Sequence, residues 1–255
     1  MITNYLEATI LAIIQGFSEF IPVSSSAHLV IISKISNFNI SSLQLDISLH
    51  LGSLIAIIFY FRKDLINLSK NKSLLSLIII ASIPLIVVGY IFYATGIIEH
   101  VRNLKVIAWT TLIFGILLYF ADRREVKNSI NKDLNIKNIL IIGFFQILSL
   151  IPGASRSGIV MTGSRFLSFS RYDAAKISFI LSLPALLGAS VLTLNDSIFI
   201  EQTFNLNIIL GIFFSYIFSY LTIKYFLIYT KKFSLNIFVA YRIILSFILF
   251  YFLYF

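Results

Sequence analysis

Long apolar stretches separated by short polar stretches dominate this chain, without the strict alternation of a half-buried strand. Continuous runs of this kind indicate membrane-spanning helices, because a helix satisfies its own backbone in lipid and crosses it with roughly 20 residues. Six runs come near this length and are predicted to span. They cover residues 46–61, 74–95, 104–121, 174–194, 206–228 and 235–254.

Two further apolar regions are interrupted in the middle. Region 5–34 is broken at Pro22, and region 137–168 is broken at Pro152 and Gly153. Each could form two crossings or one re-entrant helix–turn–helix that enters and leaves on the same side. The arms of about 12–15 residues are too short to cross comfortably, so the re-entrant form is predicted.

Composition and charge exclude two other classes of protein. With 58% hydrophobic and 12% charged residues, the chain cannot cover its apolar surface as a soluble protein. The net charge of +9 would suit a nucleic-acid partner, but most Lys and Arg residues lie in short loops. Loops 62–73, 122–138, 165–176 and 224–232 follow the positive-inside pattern and are predicted to be cytoplasmic.

The order of these elements predicts an internal repeat within a single membrane domain, 1–255. Halves 1–121 and 122–255 each contain a re-entrant pair followed by three spanning helices. Three crossings are an odd number, so the second half is inverted relative to the first, as in secondary transporters. The predicted fold is an all-α integral membrane protein with six transmembrane helices and two re-entrant pairs in an inverted-topology repeat. The two turns would enter from opposite sides and meet.

Both broken regions carry polar side chains at membrane depth. Glu19, His28 and Arg156 are ionisable there, which is costly and points to function. Gln15 and Glu19 are four residues apart and share one helix face. The sequence therefore predicts that the turns around Pro22 and Pro152 carry the chemistry of the protein.

The polar residues of the turns suit phosphate. Hydroxyl groups beside a helix N-terminus form an anion site, and each turn offers such hydroxyls before its second helix. Arg156 adds a fork of donors that fits phosphate oxygens. The oxygens of Glu19 and Gln15 suit Mg²⁺ or Ca²⁺. The hydroxyls are those of Ser24, Ser25, Ser26, Ser155 and Ser157.

Structural roles for the same residues stay open from the sequence alone. Glu19 and Arg156 could form a buried ion pair that only holds the turns together, and the serines could only cap helices. Asp46 and His50 are interpreted as a hydrogen-bonded structural pair near the start of a spanning helix. Arg242 lies deep in the last apolar run, and no partner for it can be identified from the sequence.

Three sequence boxes resemble one known family. They are Gln15-x-x-x-Glu19 with Pro22-Val23-Ser24-Ser25-Ser26-Ala27-His28, Pro152-Gly153-Ala154-Ser155-Arg156-Ser157-Gly158, and Asp46-Ile-Ser-Leu-His50-Leu-Gly52. Their order and the length of the chain resemble the bacterial undecaprenyl-diphosphatase family of the bacitracin-resistance type. The resemblance extends over essentially the whole chain.

The resemblance implies an inner-membrane enzyme that removes one phosphate from undecaprenyl diphosphate and so recycles the lipid carrier for cell-wall synthesis. It implies a divalent cation, a polyprenyl diphosphate substrate and an active site facing the periplasm or exterior. Gln15 and Glu19 resemble the residues that handle the metal or pyrophosphate. Ser25 resembles the candidate nucleophile, His28 the general acid or base, and Arg156 the phosphate-binding arginine.

Three questions stay open at this point. Either Ser25 attacks the phosphoryl group while His28 takes its proton, or His28 activates a water directly. A lipid-phosphate flippase is the rival function, because an inverted repeat with polar turns is also typical of transporters. The oligomeric state is undetermined, and a homodimer is one option.

Overall fold

A computed structural model describes residues 2–36, 43–70, 72–101, 103–197 and 206–254, which are mostly helical. A short 3₁₀ turn, Leu148–Leu150, follows α9, and one isolated bridge joins Asn128 to Phe169 in the described part. The helices are α1 (Ile2–Ser18), α2 (Ser25–Ser36), α3 (Leu43–Tyr60), α4 (Arg62–Lys70), α5 (Lys72–Ala94), α6 (Ile97–Val101), α7 (Leu104–Asp122), α8 (Ile130–Asp133), α9 (Ile136–Ile147), α10 (Arg156–Phe166), α11 (Arg171–Ser197), α12 (Leu206–Lys232) and α13 (Asn236–Tyr254).

Five of the described helices are long and apolar enough to cross a membrane: α5, α7, α11, α12 and α13. Each falls on one of the six predicted spans. The remaining prediction, 46–61, falls on α3, whose apolar part, Ile47–Tyr60, is shorter than the other five. Six spans are therefore not confirmed, because the first predicted span begins with polar residues that shorten its apolar length.

The two broken regions form pairs of short helices, as predicted. Region 5–34 contains α1 and α2, with 17 and 12 residues. Region 137–168 contains α9 and α10, with 12 and 11 residues. All four are shorter than the roughly 20 residues that a crossing needs. The breaks are confirmed, whereas a re-entrant path stays a prediction.

The long helices expose apolar side chains. On α5, Ile79, Ile83 and Ile86 are each about half exposed, while Leu77 and Ala81 are buried. A helix that is apolar on both its inner and outer faces needs lipid on the outside. The fold is that of a multi-pass membrane protein.

Close helix packing brings the broken regions to the centre of the molecule. Helices α1 and α3 pack on α12, and helices α9 and α11 pack on α5. Glycines allow this approach: a Cβ on Gly52 would lie 2.5 Å from Ile212 O of α12, and one on Gly143 would lie 2.5 Å from Ala81 O of α5. Helices α7 and α13 pack together beside α10.

A buried ion cluster joins the ends of four helices. Asp122, at the end of α7, accepts hydrogen bonds from Arg171 Nε at 2.7 Å and from Leu235 N at 3.0 Å. The Arg165 guanidinium, at the end of α10, donates to the carbonyls of Asp122, Arg124 and Phe169. These contacts fix one end of α10 independently of the turn at its other end.

Candidate active site

The two turns have the same local construction. In each, a serine with positive φ precedes the second helix: φ is 75° at Ser24 and 67° at Ser155. Each Oγ accepts a hydrogen bond from the backbone N–H three residues later, at Ala27 (3.4 Å) and Gly158 (3.2 Å). Positive φ is strained for serine, and such strain is concentrated at functional sites. Both serines cap their helices, in agreement with the expected hydroxyl caps.

Glu19 is the centre of the site. Its Oε1 accepts a hydrogen bond from Arg156 Nη2 in a buried ion pair that joins the two turns. Its Oε2 accepts from Gln15 Nε2 at 2.8 Å and from Ser25 Oγ at 3.2 Å. The structure thus brings together four residues predicted from the sequence: Gln15, Glu19, Ser25 and Arg156.

His50 belongs to this cluster too. Its Nδ1 lies 3.2 Å from Gln15 Nε2, and it accepts that hydrogen bond because an amide nitrogen can only donate. The sequence interpretation paired His50 with Asp46, whose side chain lies outside the described part of the structure. His50 therefore extends the site beyond the residues predicted for it.

His28 lies against the last helix. Its Nδ1 is 2.7 Å from Ser24 O, and its Nε2 is 2.5 Å from Tyr241 OH. A carbonyl only accepts, so Nδ1 carries the proton and Nε2 accepts the Tyr241 hydroxyl. The two rings are stacked, with centroids 5.5 Å apart. In this arrangement the Ser25 hydroxyl donates to Glu19 and the basic nitrogen of His28 is bound by Tyr241.

The serines of the second turn connect the halves. Ser157 Oγ donates to Ile21 O of the first turn at 2.9 Å and lies 3.2 Å from Ser155 Oγ. Ser178 Oγ in turn donates to Ser157 O at 3.3 Å. The side chain of Ser26, predicted to bind phosphate, lies outside the described residues.

Arg242 is a residue of the site that sequence reasoning left without a partner. It is 0% exposed in the middle of α13. Its Nη1 donates to Ala154 O at 3.0 Å and to Pro22 O at 3.4 Å, its Nη2 to Gly153 O at 3.0 Å, and its Nε to Thr111 O at 3.2 Å. The sequence signal for Arg242 was a single arginine within an apolar run. Tyr241 gave no such signal, because it resembled the many lipid-facing aromatic residues.

The oxygens around Glu19 fit a divalent cation. Gln15 Oε1 is buried and accepts no hydrogen bond from any described residue, while Gln15 Nε2 donates to the carboxylate. An orphaned amide oxygen beside a carboxylate is a suitable pair of hard ligands. The described residues contain no cluster of three His, Cys, Asp or Glu side chains. Further ligands would therefore have to come from phosphate or water.

Comparison with known proteins agrees with the motifs. A family model described as "Bacitracin resistance protein BacA" matches residues 8–248. A protein of Pelagibacter ubique named undecaprenyl-diphosphatase is 54% identical over 100% of both chains. Proteins with the same name from Saccharophagus degradans and Elusimicrobium minutum are 39% and 40% identical, over 95% and 96% of this chain and 96% of each relative.

The resemblance drawn from the sequence boxes is therefore confirmed. The family model covers both turns and the residues described around them, from Gln15 to Arg242. The alignments with these relatives cover 95–100% of this chain and 96–100% of each relative. The chain belongs to the family described as bacitracin resistance protein BacA.

Proposed function

We propose that this protein is an undecaprenyl-diphosphatase, which hydrolyses undecaprenyl diphosphate to undecaprenyl phosphate and inorganic phosphate. The proposal rests on the ion pair between Glu19 and Arg156, which joins two hydroxyl-rich helix starts and whose side chains are 7% and 14% exposed. Relatives of this name over the whole chain support a hydrolase rather than a flippase. The reaction returns the lipid carrier to cell-wall synthesis.

The proposed architecture is the inverted repeat. The same number of residues separates the members of three pairs: Gln15 and Gln146, Ser24 and Ser155, and Thr111 and Arg242. The packing supports it, because α1 and α3 contact α12 as α9 and α11 contact α5. Each broken region re-enters from one side, with α3 as the sixth span. The site then lies near the midplane at the repeat interface.

The same architecture gives the location. The protein lies in the bacterial inner membrane, with the basic loops 62–73, 122–138, 165–176 and 224–232 in the cytoplasm. The first broken region then enters from outside, and the pocket opens toward the periplasm or exterior. The polyprenyl tail stays in the bilayer while the diphosphate enters the pocket.

Arg156 and the helix starts bind the terminal phosphoryl group. The guanidinium pairs with Glu19 through a single Nη2–Oε1 contact, and a phosphate group competes for it because its oxygens can accept two guanidinium N–H groups at once. The free amides at the start of α10 add donors. When Arg156 turns to phosphate, it releases one oxygen of Glu19.

Gln15 and Glu19 would hold a divalent cation, Mg²⁺ or Ca²⁺. When bound there, the cation would neutralise phosphate charge and polarise the phosphoryl group. The support is the orphaned Gln15 Oε1 beside the Glu19 carboxylate. His50 helps to hold the Gln15 amide by accepting a hydrogen bond from its Nε2, and Oε1 has no donor among the described residues.

Two routes of hydrolysis fit the pocket. In the first, Ser25 Oγ attacks the terminal phosphorus, the bond to the bridging oxygen breaks, and undecaprenyl phosphate leaves with its electron pair. The Ser25 proton passes to Glu19, to which it already donates at 3.2 Å, or to His28. Water then releases phosphate from the serine. In the second, the hydrogen bond between Tyr241 OH and His28 Nε2 opens, and Nε2 then deprotonates a water that attacks phosphorus directly.

A rapid acid quench distinguishes the routes. Substrate labelled in its terminal phosphate leaves labelled phosphoserine at Ser25 in the first route. In the second route, label passes to free phosphate without a protein-bound intermediate in a single turnover.

The function itself is tested with the purified protein in detergent. Wild type is expected to release phosphate from undecaprenyl diphosphate, and Arg156→Ala is expected to lose at least about 100-fold in kcat, as when a preorganised charge donor is removed. Near-normal turnover by Arg156→Ala would remove its assigned role. Wild type that moves the lipid across vesicles without releasing phosphate would instead be a flippase.

A further inference from the structure

Arg242 is a buried cationic side chain within the apolar helix α13. It is 0% exposed, and no described carboxylate lies within ion-pair distance of it. A buried charge without a counter-ion is costly, and its hydrogen bonds to carbonyls compensate it only in part. Such a residue within an apolar helix marks function by default. The question is what its four hydrogen bonds accomplish.

The four bonds connect segments that lie far apart in the chain. Pro22 O belongs to the first turn, whereas Gly153 O and Ala154 O belong to the second. Thr111 O belongs to α7, the partner helix of α13. A guanidinium presents five donors in a rigid plane, so it fixes both turn backbones at once in a way that a single ammonium cannot.

The surrounding helices leave space for this guanidinium. A Cβ on Gly158 would lie 3.1 Å from Arg242 Nη1, and a Cβ on Gly115 would lie 3.1 Å from Arg242 Cβ. Both distances are tighter than ordinary carbon contacts. Small residues on α7 and α10 therefore match the position of the arginine on α13.

We propose that Arg242 is a positioning residue, which sets the separation of the two turns so that Arg156 and Glu19 meet in one pocket. Arg242 donates to backbone carbonyls of the turns and of α7, and these carbonyls are not assigned any contact with the substrate. The inference rests on the proposed phosphatase site. A displacement of the two turns by about 1 Å relative to each other should lower kcat on the order of 100-fold, because catalytic geometry tolerates little displacement.

The test compares Arg242 with a matched buried arginine. Arg165 is 1% exposed and also donates to backbone carbonyls, but at the far end of α10, where it also pairs with the Asp122 carboxylate. Arg242→Met and Arg165→Met should both lower the melting temperature, because each leaves buried carbonyls without a donor. Arg242→Met alone should lower kcat by about 100-fold with KM within about threefold, because Arg156 still binds phosphate. Arg242→Lys should recover less than a tenth of the wild-type kcat, since it keeps charge without the planar fork.

A distance measurement tests positioning without any need for turnover. The chain contains no cysteine, so spin labels at Phe17→Cys on α1 and Phe144→Cys on α9 report only those two exposed positions. Double electron–electron resonance should give a broader distance distribution when Arg242→Met is added, and an unchanged one when Arg165→Met is added. Gly115→Ala, which crowds Arg242 without removing it, provides a milder variant that should broaden the distribution and lower kcat in the same direction.

The outcomes separate this inference from the function on which it rests. Inactive wild type would refute the phosphatase, while the label distances would still test the positioning role. Unchanged distances in Arg242→Met, or kcat losses equal in the Arg242 and Arg165 variants, would overturn the proposal. A narrow wild-type distribution that broadens together with a selective loss of kcat would support it.

Discussion

Glu19 is where the two halves of the chain meet, because its two carboxylate oxygens divide their contacts between them. Oε1 pairs with Arg156 of the second half, and Oε2 accepts from Gln15 and Ser25 of the first. A carboxylate that is nearly fully buried needs such donors to remain charged. One side chain thus links the proposed cation site, the proposed nucleophile and the phosphate-binding arginine.

Replacing this carboxylate by an amide should remove activity and metal dependence together. In Glu19→Gln the ion pair with Arg156 is lost, and an amide oxygen is a weaker cation ligand than a carboxylate. We expect kcat to fall at least about 100-fold, with little further response to Mg²⁺ or Ca²⁺. Glu125→Gln, at a side chain that is 83% exposed, is the control. An unchanged metal response in Glu19→Gln would place the cation elsewhere.

The hydrogen bond between the Tyr241 hydroxyl and His28 can be tested separately. Tyr241→Phe removes the hydroxyl bound to His28 Nε2 but keeps the stacked ring. This bond of about 1 kcal/mol occupies the basic nitrogen of His28, while Ser24 O still holds Nδ1, so its loss frees Nε2 and should raise kcat several-fold where His28 takes a proton. Tyr254→Phe, on the same helix and 65% exposed, should leave kcat unchanged. Equal kcat in both variants would show that the contact with Tyr241 is not used in turnover.

The sequence predicted the residues of the site better than their partners. Glu19, Ser25 and Arg156 could be found because polar groups in apolar, proline-broken helices are costly and stand out. The partners of His50 and Arg242 could not, since they lie on elements far apart in the chain. Their contacts depend on helix packing that a local pattern does not encode.

At the scale of elements, breaks in apolar runs determined the fold. Pro22 and Pro152-Gly153 divided the two regions into arms, and α1, α2, α9 and α10 follow those arms closely. Helix α7 begins at the predicted residue 104, after its Asn103 cap, and α9 begins one residue before the predicted 137, because Asn135 caps it there. The span predicted at 46–61 is not confirmed, because the apolar part of α3, Ile47–Tyr60, is shorter than the five long helices.

Close helix packing can be tested with two glycines. Gly143→Ala would bring a Cβ to 2.5 Å from the backbone of Ala81, so α9 and α5 must separate. We expect a destabilisation of roughly 1–3 kcal/mol, measured as a lower melting temperature in detergent. Gly188→Ala meets no atom within 4 Å and should stabilise α11 by up to about 1 kcal/mol. The packing described here would be wrong if both variants melted alike.

At the scale of the whole molecule, the pattern of basic loops and the paired packing of α5 and α12 favour two inverted halves. Such a repeat creates one site from two turns that neither half could complete alone. With six crossings and two re-entrant pairs, the side of each loop follows from the number of crossings that precede it.

The orientation is tested by thiol labelling of intact cells. The cysteine-free chain allows single reporters at Glu125→Cys, in a basic loop, and at Ile97→Cys, between α5 and α7. An impermeant reagent should label the Ile97 variant in intact cells and the Glu125 variant only after lysis. Labelling of the Glu125 variant in intact cells would reverse the topology and the outward-facing pocket.

A double-mutant cycle on phosphate release tests the central claim that the two turns form one catalytic site. Glu19→Gln, Arg156→Gln and the double variant are compared with wild type in the same detergent. Residues that act as one unit are strongly non-additive, so the double variant should be no slower than about the slower single variant. Rate losses that multiply in the double variant would mean that Glu19 and Arg156 act independently, and would contradict the account.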